Sequence, residues 1–539
     1  MLIFNFNKMK INKDNFKIKG VFLIAFMFLL NSCSLDIVPK DDDEFTSEQF
    51  YNDPASYKQF LAKIYGGLAV TGQEGPSGQS DLGSGAGTVD EGFSQYLRGY
   101  WQLQELPTDE AIIAWGDPTI KDLNLNTWNA DNVFTEAFFA RIFFQIGLCN
   151  EFLRETTDEK LNSRGVDAAL ISEIQTYRAE VRFLRALSYY HGIDIFGKLP
   201  FGSDLELLGT PPQMQTRTFI FNYILDELNA IDSDLLAPKT NQYGRADKAA
   251  AWMLKAKLLL NAKVYTGVDR SADALTAVNA VIGSGYGIAT IPYSNLFKAD
   301  NNTNGAQNEI IFPICFDGVK TKTWGGTTYL IHGSCVDAVA SALGVSGGWN
   351  GFRVRKEFTE SVGTDARVTY VAGNTDPASI SNYTLFAQGK KIIKFSNLKS
   401  DGTGGQALNF PDTDFPLFRM GDAYLMYAEL ALVNNQGNVS IALGYINALR
   451  SRGGVGPVTS TEYVSDPAMF ILNERAKELH WEGHRRQDLI RLGKYLSDYN
   501  WEWKGGNQSG NPVDAHVLIY PIPNKELHSN TLLSQNPGY

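Results

Sequence analysis

Apolar residues that return every third or fourth position over long stretches constrain this chain more than any other feature. From Ser172 onward, Tyr177, Val181, Leu184, Leu187, His191 and Ile195 fall on one stripe, with Arg178, Arg182 and Arg185 beside it. That spacing predicts an amphipathic helix over 172–194. The same period predicts helices over 47–68, 133–154, 218–236, 247–265, 272–282, 421–433, 439–450 and 468–492. Small residues sit where neighbouring helices must approach: Ala249, Ala250, Ala251 and Ala256 in one pair, Ala423, Ala428 and Ala431 in another. The expected class is mainly α, a degenerate tetratricopeptide-type scaffold of paired helices that does not keep a 34-residue period.

Between about 283 and 415 the character changes. Gly, Asn and Asp rise, and short extended pieces such as Ile310 to Ile314 stand between long loops. The helical scaffold is thus expected over about 49–282 and 416–500, with the loop-rich part as the ligand-binding region. The 539 residues carry a net charge of −11, 12% aromatic residues, 6 His and 4 Cys. This acidity argues against a nucleic-acid partner, which selects a basic face. So few cysteines over such a length exclude a disulfide framework.

The N-terminus is expected to be an export segment. Lys8, Lys10, Lys13, Lys17 and Lys19 precede an unbroken apolar run from Val21 to Leu30, too short for a bilayer span and suited to a signal peptide. Leu30-Asn31-Ser32-Cys33 resembles a lipobox, which makes residues 1–32 a lipoprotein signal peptide and Cys33 the lipid attachment site. Residues 33–48 then form an acidic tether with Asp41, Asp42, Asp43 and Glu44, a block that resembles the surface-export signal of certain Gram-negative lipoproteins. Cleavage removes five Lys and one Asp, so the net charge goes from −11 to −15. Of the remaining cysteines, Cys149, Cys315 and Cys335, at least one is unpaired; whether Cys315 and Cys335 bond is open.

Several strings suggest chemistry and fail on context. Gly344-Val345-Ser346-Gly347-Gly348 fits G-x-S-x-G, but a helical stretch over 336–343 precedes it where a nucleophile elbow needs a strand. His480 and His484 stand at i, i+4 without the H-E-x-x-H order, inside a predicted helix. Asp109 and Glu110 are adjacent acids with no identifiable glycosidase counterpart. Asp300-Asn301-Asn302-Thr303-Asn304-Gly305 opens like an EF-hand loop, yet position twelve is Ile311, so a complete EF-hand is excluded. The tryptophans divide. Trp252 and Trp481 lie in helical patterns and are expected in the core, whereas Trp115, Trp324 and Trp349 lie in glycine-containing loops, where a rigid ring can serve as a ligand platform for the C–H face of a sugar.

Tyr177 to Leu187, with Asp194-Ile195-Phe196-Gly197-Lys198-Leu199-Pro200-Phe201, resembles the SusD/RagB outer-membrane lipoproteins. So do Glu474-Arg475-Ala476-Lys477-Glu478, Glu482 to Leu489, Tyr520-Pro521-Ile522-Pro523 and Gln535 to Tyr539. The resemblance covers nearly the whole mature chain as one domain, residues 49–539. It implies a tetratricopeptide-based fold on the extracellular side of the outer membrane, without enzymatic activity. It also implies a lid over a SusC-like TonB-dependent transporter that captures glycan for import. Within the family, Val70-Thr71-Gly72-Gln73, Glu105 to Glu110, Ala299-Asp300-Asn301, Tyr329-Leu330 after Gly325-Gly326, and Trp501 to Gly506 resemble most closely the starch-binding founding member. Carried over by motif, its aromatic arc falls on Trp115, Trp324 and Trp349, a sugar-binding arginine falls on Arg98, and a polar contact falls near Asp117. Calcium, which such proteins bind, would fall on Asp300, Asn302 and Asn304. The implied ligand is an α-glucan oligosaccharide; laminarin-type β-glucan, chitin oligosaccharides or a glycan-active enzyme are the alternatives.

Overall fold

The helices of this chain begin where a short polar side chain can cover the open N–H groups of a first turn. In the computed structural model, which describes residues 46–73, 75–76, 80–83 and 89–539, Asn132 accepts from the amides of Phe134 and Thr135 to start Val133–Glu155. Asp167 does the same for Ala168–Phe196, and Asp247 for Lys248–Leu260. Such caps are each worth about 1 kcal/mol. The signal segment, Cys33 and the acidic tether lie outside the described residues.

Residues up to Asp53 form a unit of their own. Its described part is the helix Ser47–Tyr51, closed by a capping box between Thr46 and Gln49. The single helix expected over 47–68 is therefore two. Pro54, which has no N–H to give, stands at the N-terminus of the second, Ala55–Gly66.

Within Pro54–Tyr539 successive helices pack side by side. Val133–Glu155 lies on Ala168–Phe196, which also meets Arg217–Ala230; Lys248–Leu260 lies on Ser271–Ile282, which meets Met420–Leu432; that helix in turn meets Val439–Arg452 and Pro467–Leu479. Ala249, Ala250, Ala251, Ala256, Ala423 and Ala428 are fully buried at these approaches. The structure is mainly helical, as the periodicity predicts. No helix among the described residues is long and apolar enough to cross a membrane.

Corrections come where local pattern meets tertiary packing. Residues 247–265 hold two helices, Lys248–Leu260 and Ala262–Thr266, separated at Asn261. The helix expected over 468–492 breaks into Pro467–Leu479 and Arg485–Arg491, because Trp481 (φ 60°) and Gly483 (φ 82°) turn the chain between them. Residues 336–343 are two short 3₁₀ turns. Trp252 is only half-buried and donates its Nε1 to Asp232 at 2.6 Å, while Trp481 is fully buried as expected. Two helices carried no readable period: Tyr96–Glu105 and Gly326–Ser334 are buried on every side, so no polar face alternates with an apolar one.

The loop-rich region is tied at both ends by one antiparallel pair, Ile310–Ile314 on Phe415–Arg419. A buried ionic network fastens it to the helices. Arg419 contacts Glu309 (3.0 Å), Glu478 (2.7 Å) and Glu482 (2.6 Å), and Arg367 contacts Asp365, Glu474 and Glu478. Burial opposes the Glu478 charge, yet Arg452, Arg419 and Arg367 hold its pKa at about 2. Cys149, Cys315 and Cys335 are all free thiols.

Candidate functional site

A second, smaller strand pair sets the site. Ile112–Ile113 runs antiparallel to Phe352–Arg353, with Ile113 opposite Phe352, and each strand carries a tryptophan at its edge. Past the first strand, Ala114 donates to Gly351 O (3.0 Å) and Trp115 Nε1 donates to Asn350 O (2.7 Å). The Trp115 ring stacks on buried Phe352 at 5.6 Å. Gly351, at φ 115°, is required: a Cβ there would lie 2.2 Å from Trp115 Nε1.

Trp349 is held from the other side. Its N–H donates to His332 O (2.8 Å), Gly348 donates to Asp337, and the His332 ring lies parallel beneath the indole at 4.9 Å. His332 Nδ1 faces Gly347 O at 2.7 Å and Nε2 faces Asn409 O at 3.2 Å, so this one ring joins two loops. Burial lowers the His332 pKa despite those two carbonyls. Trp324 stands on a third loop, fixed where Glu91 accepts from Thr323 Oγ1 (2.7 Å) and the Trp324 amide (3.0 Å).

Three segments distant in sequence thereby form one row of rings. Trp115 and Trp349 are 6.1 Å apart with a 55° tilt, and Trp349 and Trp324 are 5.9 Å apart with a 56° tilt. All three indoles are partly exposed; Trp324 keeps 37% of its surface in solvent. Arg98 is buried behind the row. Its guanidinium lies over Tyr329 (4.3 Å) and Phe93 (4.9 Å) and donates to Trp324 O at 3.4 Å. Burial lowers the Arg98 pKa, while Tyr329, Asp117, Asp90 and Glu91 favour the charge. The structure thus brings together Trp115, Trp324, Trp349, Arg98 and half-exposed Asp117. It adds Asp90, His332 and Phe410, which no local pattern marks.

Other sequence candidates lie elsewhere or serve the fold. Asp109 forms a two-pronged pair with Arg485 (2.7 Å) and Glu110 accepts from the Trp481 amide (3.2 Å), both fully buried. His480 and His484 do not share a face, because the chain turns between them. His484 Nδ1 sits 3.2 Å from Lys257 Nζ and His480 Nδ1 faces Lys477 O. Ser346 follows 3₁₀ turns rather than a strand and bonds Asn409 at 2.5 Å. The oxygens of the EF-hand-like segment are committed to protein donors. Asp300 accepts from Ser400 N (2.9 Å), Ser400 Oγ (2.5 Å) and Asn304 Nδ2 (3.1 Å), and Asn304 Oδ1 accepts from the Ala306 amide. Asn302 is exposed and contributes no second carboxylate, so Asp300, Asn302 and Asn304 as arranged here fit a closed Asx turn rather than a calcium cage of six to eight oxygens. Among the described residues no group of three His, Cys, Asp or Glu could hold a metal.

Comparison with known proteins identifies the family. The starch-binding protein SusD of Bacteroides thetaiotaomicron is 34% identical over 582 residues, covering 97% of this chain and 99% of that protein. The chain belongs to the SusD family. The SusD family pattern itself matches residues 319–539. SusD-like protein P25 of Formosa agariphila is 25% identical, across 96% of this chain and 99% of its own length. Among solved structures, a SusD-like carbohydrate-binding protein from Bacteroides fragilis aligns with a TM-score of 0.67 at 20% identity, over 90% of this chain and all of that one. Surface glycan-binding protein A from Bacteroides uniformis aligns at 0.66 and 19%, over 90% and 99%. At such identities these two speak for the fold alone.

In this SusD family member several of the motif residues serve the scaffold. Glu474, Arg475, Glu478 and Glu482 build the buried ionic network, Tyr520 OH donates to Leu103 O (2.9 Å), and Asn536 Nδ2 donates to both Phe196 O and Tyr520 O at 2.7 Å. These residues hold helices and terminus together. The ring-bearing loops are a separate layer.

Proposed function

We propose that this protein captures starch-type α-glucan oligosaccharides at the cell surface and passes them to a partner SusC-like TonB-dependent transporter. In this reading Cys33 carries the lipid that anchors it to the outer membrane, facing outward. The observation that carries the reading is the row Trp115–Trp349–Trp324, whose successive tilts of 55° and 56° rule out a flat platform and suit a curved one. A curved glucan can lie on all three faces together; a flat β-1,4 chain cannot. Arg98 and Asp117 supply hydrogen-bonding groups beside the rings. That the 34%-identical relative is a starch-binding protein supports the same ligand. Asp109 and Glu110, the acids that would serve a glycosidase, are spent on Arg485 and on backbone amides, which favours capture over cleavage.

The test is electrophoresis of the purified protein through native gels containing starch, pullulan, laminarin or soluble chitin. Retardation by starch and pullulan alone is expected. Free migration in starch would overturn the ligand, and release of reducing sugar on incubation would overturn the non-enzymatic role. Copurification with a β-barrel transporter tests the partnership.

A further inference from the structure

The row of rings does not stop at Trp324. Phe410 lies 4.9 Å from Trp324 at a tilt of 49°, close to the two preceding steps in both spacing and angle. Its ring is partly exposed, and the next side chains outward, Asn409 and Leu408, are exposed as well, Leu408 to 57%.

The loop that carries it is built to hold a position. Asp412 accepts from the Gln406 amide (2.6 Å), Gln406 Nε2 (3.0 Å) and the Gly318 amide (2.7 Å), closing the loop on itself. Along its outer edge it is fastened to the Trp349 loop: the Ser346 amide donates to Leu408 O (3.1 Å), Ser346 Oγ meets Asn409 Oδ1 (2.5 Å), and His332 Nε2 faces Asn409 O (3.2 Å). The Gly344 to Gly348 string that resembles a nucleophile elbow thus has a role here, docking one ring-bearing loop against another. Ser346 and Asn409 are both exposed on this loop pair.

We infer that Phe410 is a fourth ring of the platform, forming an end subsite that longer oligosaccharides occupy and short ones do not reach. This rests on the α-glucan reading above, and extends it to chain-length preference. A ligand covering Trp115, Trp349 and Trp324 alone gains nothing from Phe410. One long enough to pass Trp324 gains a further stacking contact.

The experiment is calorimetric titration of wild type, Phe410→Ala, Phe410→Leu and Phe410→Tyr with maltotriose and with maltoheptaose. For Phe410→Ala, maltoheptaose affinity should fall about fivefold to tenfold, the worth of one aromatic contact, while maltotriose changes less than about twofold. Phe410→Tyr should restore the difference. Phe410→Leu keeps apolar packing against Trp324 without an aromatic face; it should behave like Ala, and gives the same readout if the alanine variant does not fold. Equal losses for both sugars would make Phe410 a mere prop for Trp324 and overturn the inference, as would no loss with either. If wild type binds neither sugar, the α-glucan reading itself fails, and the two failures are distinct.

Discussion

Replacing Trp349 by alanine removes the middle of the platform, and its effect can be worked from the site. Trp349 is flanked by Trp115 at 6.1 Å and Trp324 at 5.9 Å, so its loss leaves two rings separated by an unfilled gap. A ligand then forfeits one stacking face and the continuity of the surface, which is the situation of an interface hot spot, about 2 kcal/mol or more. At roughly 1.4 kcal/mol per decade, affinity for maltoheptaose should fall about 30-fold. The fold should register the change only modestly. The indole is partly exposed, and what it leaves are its ring contacts with His332, Trp115 and Trp324, each about 0.5–1.5 kcal/mol. In a chain of this size the melting temperature should drop by no more than about 5 °C. Trp349→Phe keeps a smaller ring in place and should lose no more than about threefold in affinity. Calorimetric titration with parallel near-UV circular dichroism measures both sides. If Trp349→Ala binds within twofold of wild type while its spectrum is intact, the platform reasoning is wrong.

Gly351→Ala should act on the same site through Trp115, since the new Cβ would lie 2.2 Å from its Nε1; glycan affinity should fall at least tenfold with little change in helix content by circular dichroism. Burial raises the pKa of Glu105 to about 7, and burial beside Glu105 also raises that of Glu110 well above the usual carboxylate range. Raised carboxyls stabilise the folded state below about pH 4.5, and that stabilisation is lost as pH climbs through 7. Thermal midpoints should therefore decline from pH 5 to 8, and Glu110→Gln, which keeps a donor toward Glu105, should flatten the decline; an unchanged slope refutes the pairing. Arg419→Met would leave Glu309, Glu478 and Glu482 buried without their shared cation and should cost about 3–5 kcal/mol in urea unfolding. Arg178→Ala, which breaks an exposed pair with Asp158, should cost under about 1 kcal/mol.

What the sequence makes legible follows from what a local pattern can encode. The stripe Tyr177–Ile195 is readable because one face of its helix is buried and Arg178 and Arg182 stay near solvent; the contrast itself is the signal. Tyr96–Glu105 lacks that contrast, with all ten residues buried, so its period vanishes. The break at Trp481 and Gly483 is likewise invisible. A tryptophan at positive φ is imposed by Glu105 and Glu110, which accept the amides of that turn from some 370 residues away. At the site, glycine-flanked tryptophans mark themselves, because a large rigid ring with no local partner needs a reason. Arg98 was identified through family resemblance and not through any spacing. Asp90, His332 and Phe410 became apparent only when distant loops met. The Asp300 segment shows the opposite failure: its spacing suggests a cation, but Ser400, a hundred residues on, takes the oxygens.

The acidity of the chain bears on ligand choice in a way composition alone does not reveal. Many of its carboxylates point inward: Glu309, Glu474, Glu478, Glu482, Asp422 and Asp488 are buried and each is paired with arginine or lysine. They form the frame on which the ring-bearing loops are mounted, and they include residues of the strings by which family membership is recognised. The platform beside that frame presents indole faces with the buried Arg98 guanidinium behind them, offset by Asp117, Asp90 and Glu91, a surface suited to a neutral ligand. The buried ion pairs and the exposed rings are thus two layers of one structure. A frame of buried ion pairs tolerates little change, since losing one partner strands a charge in the interior. Loops tied down by backbone hydrogen bonds can exchange one ring for another without disturbing it. The buried frame therefore says little about which ligand is taken, and that reading rests on Trp115, Trp324, Trp349 and their neighbours.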